Sequence, residues 1–216
     1  MTDKPTKERI LDAAERLYAA HGFAETSLRQ LTNEAAVNLA AVHYHFGSKE
    51  GLFKALVERR IGPINEERIA LLDELEASGR PTLEAVLEAL VGPLLRYGAR
   101  DREGAAQLFQ VIGRLNLTDQ AHAREFREVF QRTAERFVPA LRRELPGVDE
   151  ESFFWRLNFS IAVMAMTLCD PSRVAHLSEG ACDIHDTESA VRHMVIFIAA
   201  GLRAEVPQAS SEEAES

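Results

Sequence analysis

Apolar positions in this chain recur with the three-to-four-residue period of a helix almost from end to end. Ile10, Ala14, Leu17 and Tyr18 fall at i, i+4, i+7 and i+8, one face of a first helix running from Thr6, its candidate cap, to about Ala20. Gly22 supplies its stop, and Phe23 plugs the core beneath it. Two short apolar-patterned segments follow, either side of a break at Ala36-Val37-Asn38: Leu28, Leu31, Ala35 and Ala36 mark one, with Thr26 or Ser27 as cap, and Leu39 to Phe46 the other, behind Asn38. Ser48 caps a fourth helix through Leu52, Phe53, Leu56 and Val57. Gly62-Pro63 should kink or break it before a second segment from Ile64 to Ala77. Beyond the linker Ser78-Gly79-Arg80-Pro81, helical periods span about 82–98, 103–116, 119–145, 150–169 and 187–204. Sustained period-two alternation is absent, so the pattern predicts an all-α chain of about nine helices with no sheet.

The last two long segments are apolar on nearly every side. Phe153, Phe154, Trp155, Leu157, Phe159, Ile161, Ala162, Val163, Met164 and Met166 fill the first; Val191, Met194, Val195, Ile196, Phe197, Ile198, Ala199 and Ala200 fill the second. Such helices need cover all round. The economical cover is a second copy across a two-fold, four-helix interface, and the competing reading is the centre of a larger monomer core.

The stretch Thr26 to Lys49 carries the chemistry. Two short helices joined by a tight turn form a helix-turn-helix, whose second helix enters the DNA major groove. Ser27, Arg29, Asn38, His43, Tyr44, His45 and Lys49 fall within 23 positions, and all can donate to phosphate or base edges. Lys49 sits in the first turn of a helix, unfavourable for a cation against the helix dipole unless a phosphate lies there. Thr26 reads as a cap rather than a contact.

On these residues the stretch resembles the DNA-binding domain of the TetR family of transcriptional regulators. The match runs from residue 7 to about 56, through RILDAAERLYAAHGF, TSLRQLTNEAAV and VHYHFGSKEGLFKAL, with the signature Tyr44, Phe46, Lys49, Leu52. The resemblance implies a helix-turn-helix DNA-binding domain over residues 1–50, a helical ligand-binding and dimerisation domain over 51–204, and a double-stranded operator as partner. It implies that Ser27, Tyr44, His45 and Lys49 grip phosphates while Arg29, Asn38, Leu39, Ala40 and His43 face base edges. Leu39 and Ala40 offer only apolar contact, suited to a thymine methyl. Two such heads about 34–36 Å apart meet successive major grooves of a palindrome.

Charge changes the picture less than the net value of −9 suggests. Residues 1–60 hold nine Lys/Arg against eight Asp/Glu, and residues 61–216 hold 16 against 26. The acidity therefore lies outside the reading head, partly in a tail expected to be disordered over 205–216, with Glu205, Glu212, Glu213 and Glu215. That balance argues against indiscriminate coating of nucleic acid but not against an operator. No apolar run approaches a bilayer-spanning length and no signal peptide is evident. The only cysteines, Cys169 and Cys182, make no disulfide framework, so a cytoplasmic chain without a membrane partner is expected.

TSLR…NLAAVHYHFGSKEGL, ESFFWRLNF and MVIFIAAGLRAE also look like PsrA-type members, which respond to fatty acids. That likeness implies repression relieved by a small apolar ligand, a long-chain fatty acid or acyl-CoA. The candidate wall is Leu90, Leu94, Phe109, Ile112, Phe126, Phe130, Phe137, Trp155, Phe159 and Met166, a stripe that serves equally as plain core. Arg114 is a candidate for a ligand carboxylate, or a solvated turn. Ligand entry is expected to shift the helix from Lys49 to Ala77 and so change the spacing of the heads.

Two other classes compete. An enzyme needs catalytic signatures, and there is no Gly-rich phosphate loop, G-x-S-x-G or H-E-x-x-H. Cys182 and His185, with His176, Asp183, Asp186 and His193, match no standard zinc spacing, so no metal or other cofactor is expected. The remaining alternative is a DNA-binding activator with no small-molecule ligand.

Overall fold

A computed structural model describes residues 4–102, 104–105, 108, 120–170 and 172–205, the side chains of residues 120–126 apart. Among the described residues there are nine helices and no strand, as the periodicity requires: α1 (Thr6–His21), α2 (Leu28–Ala35), α3 (Leu39–Phe46), α4 (Lys49–Ala77), α5 (Leu83–Arg100), α6 (Gln120–Arg143), α7 (Glu150–Cys169), α8 (Ser172–Leu177) and α9 (Thr187–Arg203). Of the expected segment over 103–116 only residues 104, 105 and 108 are described, and of the expected tail over 205–216 only residue 205.

Local capping chemistry sets most of the boundaries. Ser27, Asn38, Ser48, Thr82, Asp149 and Asp186 each accept a backbone N–H of the first turn of their helix. Thr6 is not a cap; it is already helical, and Pro5 precedes it with no side-chain cap bond. At the end of α1, Gly22 has φ 85° and donates its N–H to Tyr18 O at 2.9 Å, a conformation that suits glycine. The short α8, between the breaks at Asp170 and Gly180, is an element the periodicity did not reveal.

Gly62-Pro63 does not break α4, which runs unbroken for 29 residues. Proline in a helix interior costs about 3 kcal/mol. Here its ring is exposed, while Val57, Ile61, Ile64, Ile69 and Leu72 on either side are buried, and that burial offsets the lost hydrogen bond.

The packing ties a small N-terminal head to a larger body. In the head, the rings of Tyr18, Phe23 and Phe53 form a closed trio at 5.3, 6.2 and 5.4 Å. In the body α4, α5 and α6 pack against one another, and α5 packs against both α7 and α9. One continuous core links the two parts through α4.

α7 is, by length and composition, long and apolar enough to cross a membrane, contrary to the expectation that no run approaches that length. It is nevertheless bound into the bundle on one side: Phe153, Met164 and Leu168 are buried, and Arg156 donates to Leu202 O at 2.9 Å.

Candidate nucleic-acid interface

The break between α2 and α3 is a left-handed turn. Ala36 sits at φ 51°, ψ 50°, with Ala36 N–H bonded to Asn33 O at 3.1 Å and Val37 N–H to Thr32 O at 3.0 Å. This Schellman arrangement closes α2 and redirects the chain into Asn38. The turn is clamped from α1, since Arg9 Nη2 donates to Ala35 O and Ala36 O, both at 2.7 Å. Arg16 adds a two-point contact to Glu34 Oε1 at 3.1 and 2.9 Å. Neither arginine stands out in the sequence pattern. Their roles come from helix crossing, which no local signal encodes.

Helix α3 lies with Val42 buried against the head and its other side open. Ala40, His43, Tyr44 and His45 are exposed, Tyr44 by 86% and Leu39 by 48%. Tyr44 and His45 meet edge to face at 5.0 Å. His43 Nδ1 donates to Gly47 O at 2.9 Å, so Nε2 is the ring nitrogen that this bond does not use.

Four of the candidate contacts are held by the head itself. Ser27 Oγ accepts from Gln30 N–H at 3.2 Å and donates to Gln30 Oε1 at 2.8 Å. Its backbone N–H meets the same Oε1 at 2.8 Å, so its hydroxyl is engaged in a capping box. Asn38 Oδ1 accepts from Ala41 N–H at 2.9 Å, leaving its amide NH₂ for an outside acceptor. Lys49 is half-buried, its Nζ 4.3 Å from the centre of the Phe23 ring and 3.4 Å from Ala24 O; burial pushes its pKa down against the charges of Glu50 and Glu25. His43 is the fourth. Arg29 is exposed beside them on α2. Thr26 is neither cap nor contact: fully buried, it donates to Gly22 O at 2.8 Å and Leu17 O at 3.3 Å, pinning α2 to the end of α1.

Residues 10–56 match the model of bacterial regulatory proteins of the tetR family, and residues 88–201 match the tetracyclin repressor-like C-terminal domain, over half of the chain by itself. This chain belongs to the TetR family. Escherichia coli UidR, an HTH-type transcriptional regulator, is 32% identical over 113 residues, 49% of this chain and 58% of UidR. The Corynebacterium glutamicum repressor AcnR is 43% identical over 56 residues, 25% of this chain and 30% of AcnR. Among solved structures, the fatty acid degradation regulator FadR from Bacillus halodurans superposes with a TM-score of 0.65 at 16% identity, covering 95% of this chain and 100% of that one. Bacillus subtilis FadR in complex with stearoyl-CoA superposes at 0.57 with 15% identity, covering 90% and 98%. At those identities the likeness is one of fold.

The expected ligand wall of this TetR-family body divides in two. Leu94 and Phe137 are buried, and Leu90 and Phe130 are half-buried against the same core. Trp155, Phe159 and Met166 are instead exposed by 57%, 58% and 48%, and do not line the interior. The reason is angular. At about 100° per residue, positions 155, 159 and 166 lie roughly opposite Phe153, Met164 and Leu168 round α7. Trp155 and Phe159 stack at 5.9 Å on that outer face; Phe154 and Ile161 are exposed on the flank of the same helix, and α9 exposes Ile196 and Phe197, 64% each. Phe109, Ile112 and Arg114 lie outside the described residues, as does the side chain of Phe126.

Among the described residues no group of three or more His, Cys, Asp and Glu is placed to hold a metal ion. In the loop before α9, Arg102 Nη2 donates to His185 Nδ1 at 2.9 Å, setting a cation where a metal would need a donor. The family consists of transcriptional regulators, not enzymes.

Proposed function

We propose that the chain is a ligand-responsive repressor that binds a palindromic operator as a homodimer in the cytoplasm. The observation that carries this reading is the open face of α3, where Leu39, Ala40, His43, Tyr44 and His45 project from a rod fixed by Val42, Arg9 and the Ala36 turn. Residues 1–50 act as the reading head and 51–204 as the body. His43 Nε2, the Asn38 amide, Arg29, Leu39 and Ala40 face base edges; Tyr44, His45 and Lys49 meet phosphates. Ser27 contributes through the first turn of α2 that it caps, rather than through its hydroxyl.

The outer faces of α7 and α9 supply the dimer seam. Their exposed Phe154, Trp155, Phe159, Ile161, Ile196 and Phe197 make a surface more apolar than a monomer tolerates in water. The same seam accounts for the apolar character of α7 without a bilayer. The inducer is an acyl chain, free or as its coenzyme A thioester, held among α4, α5 and α6. The FadR-like fold and the apolar Leu90, Leu94, Phe130 and Phe137 favour it.

Footprinting of the DNA upstream of the chain's own reading frame, with and without acyl ligands, tests the reading. Protection of a two-fold site that is released by an acyl compound supports it. Protection that no ligand relieves would leave a DNA-binding regulator without this inducer class.

A further inference from the structure

Among the described residues the only buried ionisable side chain that is formally charged at neutral pH is Arg68, in the middle of α4 at 3% exposure. Among the described residues no acidic side chain is buried with it and none forms an ion pair with it. Its two hydrogen-bond partners are neutral: Nε donates to Leu90 O at 2.7 Å and Nη1 to Asn65 Oδ1 at 3.1 Å. Burial pushes its pKa down to about 10, so it keeps its charge near neutrality. A guanidinium in the core with no counter-charge is an arrangement that folding alone disfavours.

The surroundings are arranged rather than accidental. Asn65 is oriented by its own bond, Nδ2 to Val129 O at 3.1 Å, which turns its Oδ1 toward Arg68. α4 and α6 run side by side in one direction, as the successive links Lys54–Glu128, Asn65–Val129 and Glu66–Arg132 show. One turn beyond Asn65 and Val129, therefore, Arg68 and Thr133 come level. Thr133 is also buried, and its hydroxyl has no hydrogen-bond partner among the described residues. A guanidinium and an unengaged hydroxyl are thus buried at one level where α4 and α6 pack, beside the apolar core these helices share with α5.

We propose that Arg68 receives the carboxylate of a free long-chain acid whose tail lies among α4, α5 and α6, with the Thr133 hydroxyl as second donor. This rests on the acyl-ligand reading above and narrows it. A carboxylate matches the guanidinium fork in charge and geometry. A coenzyme A thioester has no carboxylate, and its bulky head has no route to a side chain so deeply buried.

Titration of the full chain with dodecanoic acid, 1-dodecanol and dodecanoyl-CoA, read by calorimetry, tests this. The expected result is binding of the acid at least tenfold tighter than either of the others. In Arg68→Met, a neutral side chain of similar reach, that preference is expected to disappear while operator binding persists. Equal binding of acid and alcohol by the native chain, or an undiminished preference in Arg68→Met, overturns the assignment and leaves the acyl reading standing. Binding of none of the three removes both. The comparison of ligands on the native chain decides the matter even if the variant fails to fold.

Discussion

Glu15 of α1 and Arg60 of α4 are joined at two points, Nη2 to Oε1 at 2.6 Å and Nε to Oε1 at 2.7 Å, and Arg60 Nη1 reaches on to Asp101 Oδ2 at 3.1 Å. One guanidinium therefore links the reading head to the end of α5 in the body. Its neighbour Arg59 adds Asp12 at 2.8 Å and Glu15 at 2.5 Å, so α1 is fastened to α4 by a network rather than by one pair. If movement in the body reaches the head through α4, Arg60 is a joint it must pass. Arg60→Met is expected to retain operator affinity within a few-fold, because the Arg59 contacts remain, but to require at least tenfold more acyl ligand for release. Fluorescence anisotropy of a labelled operator, titrated with dodecanoic acid, checks this; an unchanged release curve would place the coupling elsewhere.

The turn at Ala36 carries a second expectation. Alanine in the left-handed region costs roughly 1 kcal/mol relative to glycine, partly offset by the extra freedom glycine gives the unfolded chain. The side chain of Ala36 is exposed, so nothing is lost when it goes. Ala36→Gly should raise the urea midpoint of the head without altering operator affinity. A lower midpoint would mean that the turn's geometry is set by something other than local backbone preference.

Tyr18 is fully buried within the trio of rings, its hydroxyl has no hydrogen-bond partner among the described residues, and burial drives its pKa well above the ordinary 10.0. Removing a buried hydroxyl that makes no bond relieves a desolvation cost of about 1 kcal/mol. Tyr18→Phe should therefore melt at the same temperature as the native chain or a few degrees higher. A clear loss of stability would reveal a bond to water inside the head.

The network around Asp12 makes the stability of the head depend on pH. Burial raises its pKa, but hydrogen bonds from Lys4 and Arg59, and their charges, outweigh that and hold the carboxyl below the ordinary 3.8. With the folded pKa depressed, the contribution is complete above the unfolded value and lost as pH falls through the folded one. Asp12→Asn should lower the urea midpoint at pH 6 and approach the native chain as pH falls below the ordinary 3.8 of the carboxyl. A difference of the same size at both pH values would show that packing, not charge, is what the substitution removes.

Much of this was legible in the sequence because it is local. Ser27, Asn38 and Ser48 announce their helices, and α3's polar cluster announces its surface. Ala36 does not announce its left-handed turn, since an alanine gives no sign of the φ it adopts. Pro63 pointed to a break that packing on both flanks of α4 prevents. Spacing puts Trp155, Phe159 and Met166 opposite Phe153 and Leu168, but a run apolar all round hides which side is inner. Arg68 sits on the buried stripe of Ile61, Ile64, Asn65 and Leu72, a placement the period does show. The clamp by Arg9 and the joint at Arg60 depend on how helices cross, and no window of sequence contains both partners.

The reading of α3 as the element that meets DNA is tested most directly by sedimentation of the full chain with a duplex from its upstream region, over a series of salt concentrations, for the native chain and Tyr44→Ala. The expected result is two chains per duplex, with affinity falling steeply as salt rises, and a binding loss of at least tenfold in Tyr44→Ala with the melting temperature unchanged. A native chain that stays monomeric and leaves the duplex free at low salt, or a Tyr44→Ala chain that binds as well as the native one, would contradict the account.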